Sequence, residues 1–189
     1  MSRSDPVASM GLDFAADETR TGYRLDRVEV YNWGTFHGDV YQFEPNGYNT
    51  LVTGDKGSGK TTLADAITTM LCSPRGAAYN RASGAENTDR NLRSYVMGYY
   101  STARDEVSGK GKPVALREGS QHSVILASFR NEGFDKTVTL AIVLWMKDGK
   151  NVPERYYVGA EKNLTIRQHF SLNSGDVFAL KKRLRQEYS

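Results

Sequence analysis

The chain has 189 residues, with 25 Lys and Arg against 22 Asp and Glu, a net charge of +3 and 39% hydrophobic residues. That is one domain's worth of chain, able to bury roughly 70% of its unfolded surface without help from disulfides or structural metal. The composition excludes collagen, wholesale disorder and a disulfide scaffold. The single Cys72 has no partner within the chain, and His37, His122 and His169 are too scattered to form a zinc set.

No apolar run approaches the ~20 residues that a membrane helix needs. Residues 1–22 carry two basic and four acidic side chains and no apolar h-region, which fits neither a secretory signal nor a transit peptide. They read as a disordered leader, and the compartment as the cytoplasm. Residues 23–189 read as one ordered unit.

The first ordered element is a strand from about residue 24, where Leu25, Val28 and Val30 alternate with polar residues. A second short strand covers 40–43, and Glu44-Pro45-Asn46-Gly47 is turn chemistry. A third strand is expected at 49–53, running straight into a Gly-rich loop. Leu63, Ile67, Met70 and Leu71 then fall at helical spacing, so the loop opens a helix that ends before Pro74. Residues 73–121 form a long insertion rich in Gly, Ser, Asn and Arg, with a short helix predicted near 89–100 and a flexible connection at 109–113.

Two apolar, β-branched-rich runs follow at 123–129 and 137–146, and a further strand near 155–158. Their short connections leave no room for crossover helices, so these strands pair antiparallel. Thr165 and Gln168 read as a capping box that opens a short helix. Val177, Leu180, Leu184 and Tyr188 mark a final amphipathic helix carrying Lys181, Lys182, Arg183 and Arg185. Residues 150–189 hold eight basic and four acidic side chains, a bias that a solvated helix face explains as well as a nucleic-acid surface does.

The strongest signal is Gly54-Asp55-Lys56-Gly57-Ser58-Gly59-Lys60-Thr61, a G-x-x-x-x-G-K-[ST] phosphate loop, with Thr62 next to it. Glycines let successive N–H groups converge on one anion, and the helix that the loop opens adds the positive end of its dipole. In that arrangement Lys60 reaches the β- and γ-phosphates of ATP, and the Thr61 hydroxyl ligates Mg²⁺. The carboxylate that hydrolysis also needs has no good candidate: in the run 141–148 Lys147 intrudes and Asp148 sits in a hairpin turn. Trp33 and Phe36 are read as core residues before base-framing ones.

The segments RVEVYNWGTF, NTLVTGDKGSGKTTLADAITTML, YNRASGAENTDRNLRSYVMGYY and FRNEGFDKTVTLAIVLWMKDG resemble the amino-terminal head segment of SMC-like ATPases. Within these they are most similar to the MukB-like JetC family of subunits in Wadjet plasmid-defence systems. The resemblance spans about residues 23–189. It implies an α/β P-loop NTPase fold of the ABC/SMC head type, with a mixed sheet and an antiparallel β portion. In such heads a C-terminal lobe with the signature and Walker B motifs follows a long coiled coil, and this sequence contains neither.

The resemblance further implies ATP sandwiched between two heads and DNA as the polymer acted on by loop extrusion. Kleisin-type, winged-helix and nuclease subunits are the implied partners, at the nucleoid. It also points to Arg93 as an arginine near the phosphates or DNA, with Arg81 and Arg90 as fainter candidates, while Gln168 belongs to its capping box before any Q-loop. Two other classes stay open: a self-contained P-loop kinase, and a nucleotide-sensing DNA-binding module without catalysis.

Overall fold

A computed structural model of the chain describes residues 22–72, 91–104, 111–117, 121–170, 172 and 176–188. Its strands are β1 (Arg24–Trp33), β2 (Phe36–Phe43), β3 (Tyr99–Arg104), β4 (Gly111–Ala115), β5 (His122–Asn131), β6 (Lys136–Trp145) and β7 (Glu154–Ala160). Its helices are α1 (Lys60–Leu71), α2 (Leu92–Met97), α3 (Ile166–His169) and α4 (Val177–Tyr188). The expected leader at 1–22 falls, apart from Gly22, outside the described residues, as does much of the 73–121 insertion.

Five strands form one sheet in the order β2-β1-β5-β6-β7, and every neighbouring pair is antiparallel. β5 and β6 lie at its centre with a helix layer on each face, which is why their sequences are apolar at successive positions instead of alternating. On one face Val124, Leu126, Val143 and Trp145 pack with Ile166, Phe170, Val177, Leu180 and Leu184 of α3, α4 and their flanks. On the other, Val28, Val30, Ile125, Ile142 and Leu144 pack with Ala66 of α1 and with Tyr95 and Val96 of α2.

A bulge in β1 brings the sheet to the Gly-rich loop. The β1–β2 register shifts between Tyr31 and Trp33, and Asn32 takes a left-handed φ of 52°. Its side chain fixes the irregularity: Nδ2 donates to the His122 carbonyl at 3.1 Å, and Oδ1 accepts from the Gly38 N–H at 3.0 Å. Trp33 is thereby turned under α1, fully buried, with Nε1 donating to the Thr62 carbonyl at 2.9 Å.

Three expectations fail. Residues 49–53 form no strand: Leu51 is 85% exposed and Val52 41% exposed, and the segment has no backbone ladder among the described residues. The antiparallel β portion is present, and among the described residues every strand pair is antiparallel. An apolar run takes strand form where a neighbour completes its hydrogen bonds, and among the described residues none lies alongside.

The flexible connection at 109–113 is also wrong, since Gly111–Ala115 is β4, paired antiparallel with β3 in a separate two-stranded sheet. Finally, the Thr165–Gln168 capping box does not form. Thr165 is the residue before α3, but its Oγ1 has no hydrogen-bond partner among the described residues, and its N–H, which the box would give to Gln168, donates to His169 Nδ1 at 3.0 Å. The Ile166 N–H is taken at 2.7 Å by the carboxylate of Glu29, which is 2% exposed and held by Arg27 at 2.8 Å, so a buried carboxylate from β1 serves the start of the helix where no side-chain cap does.

Candidate phosphate-binding site

Gly54, Asp55, Lys56, Gly57, Ser58, Gly59, Lys60, Thr61 and Thr62 are brought together as one exposed loop and the first turn of α1. Gly54, Gly57 and Gly59 have φ of 147°, 89° and 90°, so the backbone curls through a region that side chains disfavour. Gly59 is the most constrained: a Cβ there would lie 2.8 Å from the ring of Phe36, which packs directly beneath the loop. One internal bond closes the turn, from the Ser58 N–H to the Asp55 carbonyl at 3.2 Å.

Hydrogen-bond accounting shows what the curl does. The N–H groups of Gly57, Gly59, Lys60, Thr61 and Thr62 find no acceptor among the described residues, and the first regular helical bond is Leu63 N–H to Gly59 C=O at 2.9 Å. α1 begins without a side-chain cap and without an acidic residue in its first turn. A helix of ordinary surface type would fill that position with Ser, Thr, Asp or Asn. Here the donors and the positive end of the dipole face outward, which is the chemistry of an anion cradle.

The Lys60 side chain folds across the same concavity. Its Nζ donates to the carbonyls of Gly54 at 2.5 Å and Asp55 at 2.6 Å and to Ser58 Oγ at 3.1 Å. Asp55 therefore enters through its backbone, not its carboxylate. Thr61 is half-buried, and its hydroxyl engages no described residue, so it is free to ligate a metal. The described residues contain no cluster of three His, Cys, Asp or Glu. One hydroxyl fits Mg²⁺, which takes most of its ligands from phosphate and water.

The loop stands on a buried polar frame that sequence reasoning missed. Tyr95 stacks on Trp33 with ring centroids 4.6 Å apart, and its hydroxyl donates to the carboxylate of Asp65, the one charged residue of α1 after Lys60. That lone charge in an apolar stripe was the available signal. Arg117 is 3% exposed and donates to the carbonyls of Val96 at 2.7 Å, Tyr95 at 2.6 Å, Gly34 at 2.8 Å and, more weakly, Phe36 at 3.4 Å.

Burial pushes the Arg117 guanidinium down to about 10. The carbonyls at the C-terminal end of α2 offset that cost. Gly34, with φ 56°, closes the frame: a Cβ there would lie 2.7 Å from the Thr62 methyl and 3.1 Å from the Tyr95 ring. Nothing local in the sequence marks Arg117, whose partners lie 21 to 83 residues away.

Other candidates are not brought to the loop. Arg93 turns toward the β6–β7 turn, where Nη1 donates to Asn151 Oδ1 at 2.6 Å. Asp148 is exposed in that turn and Gln168 is exposed on α3. Trp33 is a core residue, and Phe36 supports the loop from below. Arg81 and Arg90 lie outside the described residues.

One family model matches the segment that holds the loop. Residues 25–86 match the family model for the P-loop containing region of AAA domain. A solved structure described as "Structural biochemistry of ATP-driven dimerization and DNA stimulated activation of SMC ATPases" is 16% identical, covering 77% of this chain and 74% of its own, with a TM-score of 0.47. No curated protein matches the chain. Among the described residues no helix is long and apolar enough to cross a membrane. The fold is an α/β P-loop NTPase fold with an antiparallel sheet, and the residues matched to the P-loop model contain the whole cradle.

Proposed function

We propose that the chain is the ATP-binding N-terminal lobe of an SMC-like ATPase head, which works on DNA as part of a larger motor. The observation that carries the nucleotide reading is the set of N–H groups of Gly57, Gly59, Lys60, Thr61 and Thr62, without an acceptor among the described residues, at the start of an uncapped helix, with the Lys60 ammonium in their midst. These donors would hold the β- and γ-phosphates, Lys60 would leave its loop carbonyls for the phosphate oxygens, and Thr61 would hold Mg²⁺. The metal, when bound, neutralises charge on the phosphates; the chain's own residues bind and orient them.

The site as it stands binds better than it cleaves. Among the described residues no carboxylate approaches the loop on a strand end, and Asp148 is exposed in a turn. The apolar approach to the loop, with Leu51 and Val52 exposed, supports a complementary lobe that pairs with residues 49–53 and supplies the catalytic carboxylate. A second head would cover the γ-phosphate. Loop extrusion, plasmid defence, nucleoid association and the kleisin, winged-helix and nuclease partners belong to this reading through the sequence resemblance.

The test is turnover. The purified chain should bind Mg-ATP yet release no phosphate above background. Steady multiple turnover by the chain alone would contradict the split site and favour a self-contained kinase or NTPase. DNA affinity that is indifferent to ATP and falls steeply with salt would favour the sensing module.

A further inference from the structure

At the β7 edge of the sheet, on the face that α1 covers, a half-enclosed cavity of about 360 Å³ opens between Thr69 of α1, the first turn of α2 and the β6–β7 turn. Thr69 lies nine residues beyond Lys60, which places it about 13 Å along the helix axis from the phosphate loop. Ile142 and Leu144 form the floor. Tyr157 and Arg155 stand beside them, because they are their direct partners across the β6–β7 ladder. Arg93 and Asn151 complete the polar wall.

The charge balance of this cavity is one-sided. Among the described residues no Asp or Glu lines it. Arg93 is half-buried; one of its nitrogens is spent on Asn151, while Nε is shielded from solvent and has no acceptor. Arg155 is also half-buried, and its guanidinium makes no hydrogen bond or ion pair among the described residues. Surface arginines ordinarily carry their charge into water or onto a carboxylate. Two that converge on an apolar floor without a counter-charge repel each other, and partial desolvation adds to the cost. An oxyanion relieves both, since the guanidinium fork matches phosphate and carboxylate geometry.

We propose that this cavity is a second ligand site, for a small organic anion. A phosphate or carboxylate would be held between Arg93 and Arg155, and a flat or apolar body would lie on Ile142 and Leu144 against Tyr157. The volume, at the lower end of the range for ligand pockets, admits one small molecule or a single nucleotide unit and not a duplex. The site is independent of the nucleotide reading of the loop.

The experiment is an NMR titration of the intact chain with AMP, benzoate, inorganic phosphate and adenosine, following the Arg Nε–H signals and the backbone amides. AMP, benzoate or both should give saturable shifts at Arg93, Arg155 and Tyr157, and which of the two does so identifies the phosphate or the carboxylate as the preferred group. Each of Arg93→Gln and Arg155→Gln should weaken that binding by at least about 10-fold, with dispersed spectra showing that the variants fold.

Adenosine, without an anion, should not shift these residues, and inorganic phosphate should bind at least about 10-fold more weakly than the preferred organic anion. The proposal is overturned if neither organic anion shifts them at about 10 mM, a concentration that would reveal even millimolar affinity. It is equally overturned if AMP shifts are confined to residues 57–62 and benzoate gives none, if both substitutions leave the affinity unchanged, or if inorganic phosphate binds as tightly. Because the loop and the cavity report through different residues, failure of one leaves the other readable.

Discussion

Arg117→Met should lower the stability of the chain by about 3 kcal/mol, seen as a drop of about 6–12 °C in thermal midpoint for a protein of this size. The guanidinium reaches four carbonyl groups and no carboxylate. Methionine fills part of the volume but leaves those acceptors buried and unpaired, at about 1–3 kcal/mol for such a group. The costs are not additive, because α2 and the β1–β2 turn would relax together. Lysine should rescue little, since a point charge cannot span carbonyls from two elements.

The pH behaviour separates this from a surface effect. The folded-state value near 10 lies below the ordinary 12.5, so the group is charged in both folded and unfolded chains below about pH 9. The deficit of the methionine variant should therefore be flat from about pH 6 to about pH 9. Above about 10 and below the ordinary arginine range the unfolded chain binds the extra proton, so this group's contribution to stability rises with pH there. A melting curve unchanged by the substitution would show that the frame beneath the loop is not held by Arg117.

Lys60→Ala should weaken Mg-ATP binding by roughly 10- to 150-fold, the equivalent of losing one charged hydrogen-bond donor worth about 1.5–3 kcal/mol. Its ammonium is the one cation whose donors converge on the loop among the described residues, and no neighbouring side chain duplicates its contacts with Gly54, Asp55 and Ser58. Isothermal titration with ATP and with adenosine separates the phosphate term from the rest. ATP affinity should fall and adenosine affinity should not. Equal ATP affinity in the two proteins would remove Lys60 from the site.

The cradle was legible from sequence because its requirements are local. Glycines at 54, 57 and 59, a lysine, a threonine and a helical apolar period occupy consecutive positions, and the structure uses them in one loop and one helix turn. The antiparallel pairing of β5, β6 and β7 was legible too, since their connections are too short for anything else. What failed was decided at long range. Residues 49–53 have strand-like composition but no partner among the described residues, the Thr165 N–H goes to His169 while Glu29 serves the first turn of α3, and 111–115 became a strand because β3 lay across from it.

The buried frame was illegible for the same reason. Asp65 stands out as the lone charge of its helix after Lys60, but Tyr95 and Arg117 are ordinary residues in their own segments, and only the fold brings the three together under the loop. Arg93 shows the opposite case: resemblance pointed it at phosphates or DNA, whereas its hydrogen bond ties it to the β6–β7 turn.

The central claim is that the backbone from Gly57 to Thr62 binds a nucleotide's terminal phosphates. Amide hydrogen exchange resolved to single residues, with and without Mg-ATP, measures this directly. The N–H groups of Gly57, Gly59, Lys60, Thr61 and Thr62 should exchange freely in the unliganded chain and become protected on adding nucleotide, while the already bonded Leu63 changes little. Saturating Mg-ATP that leaves those five amides exchanging as before, or that protects a different surface, would contradict the account.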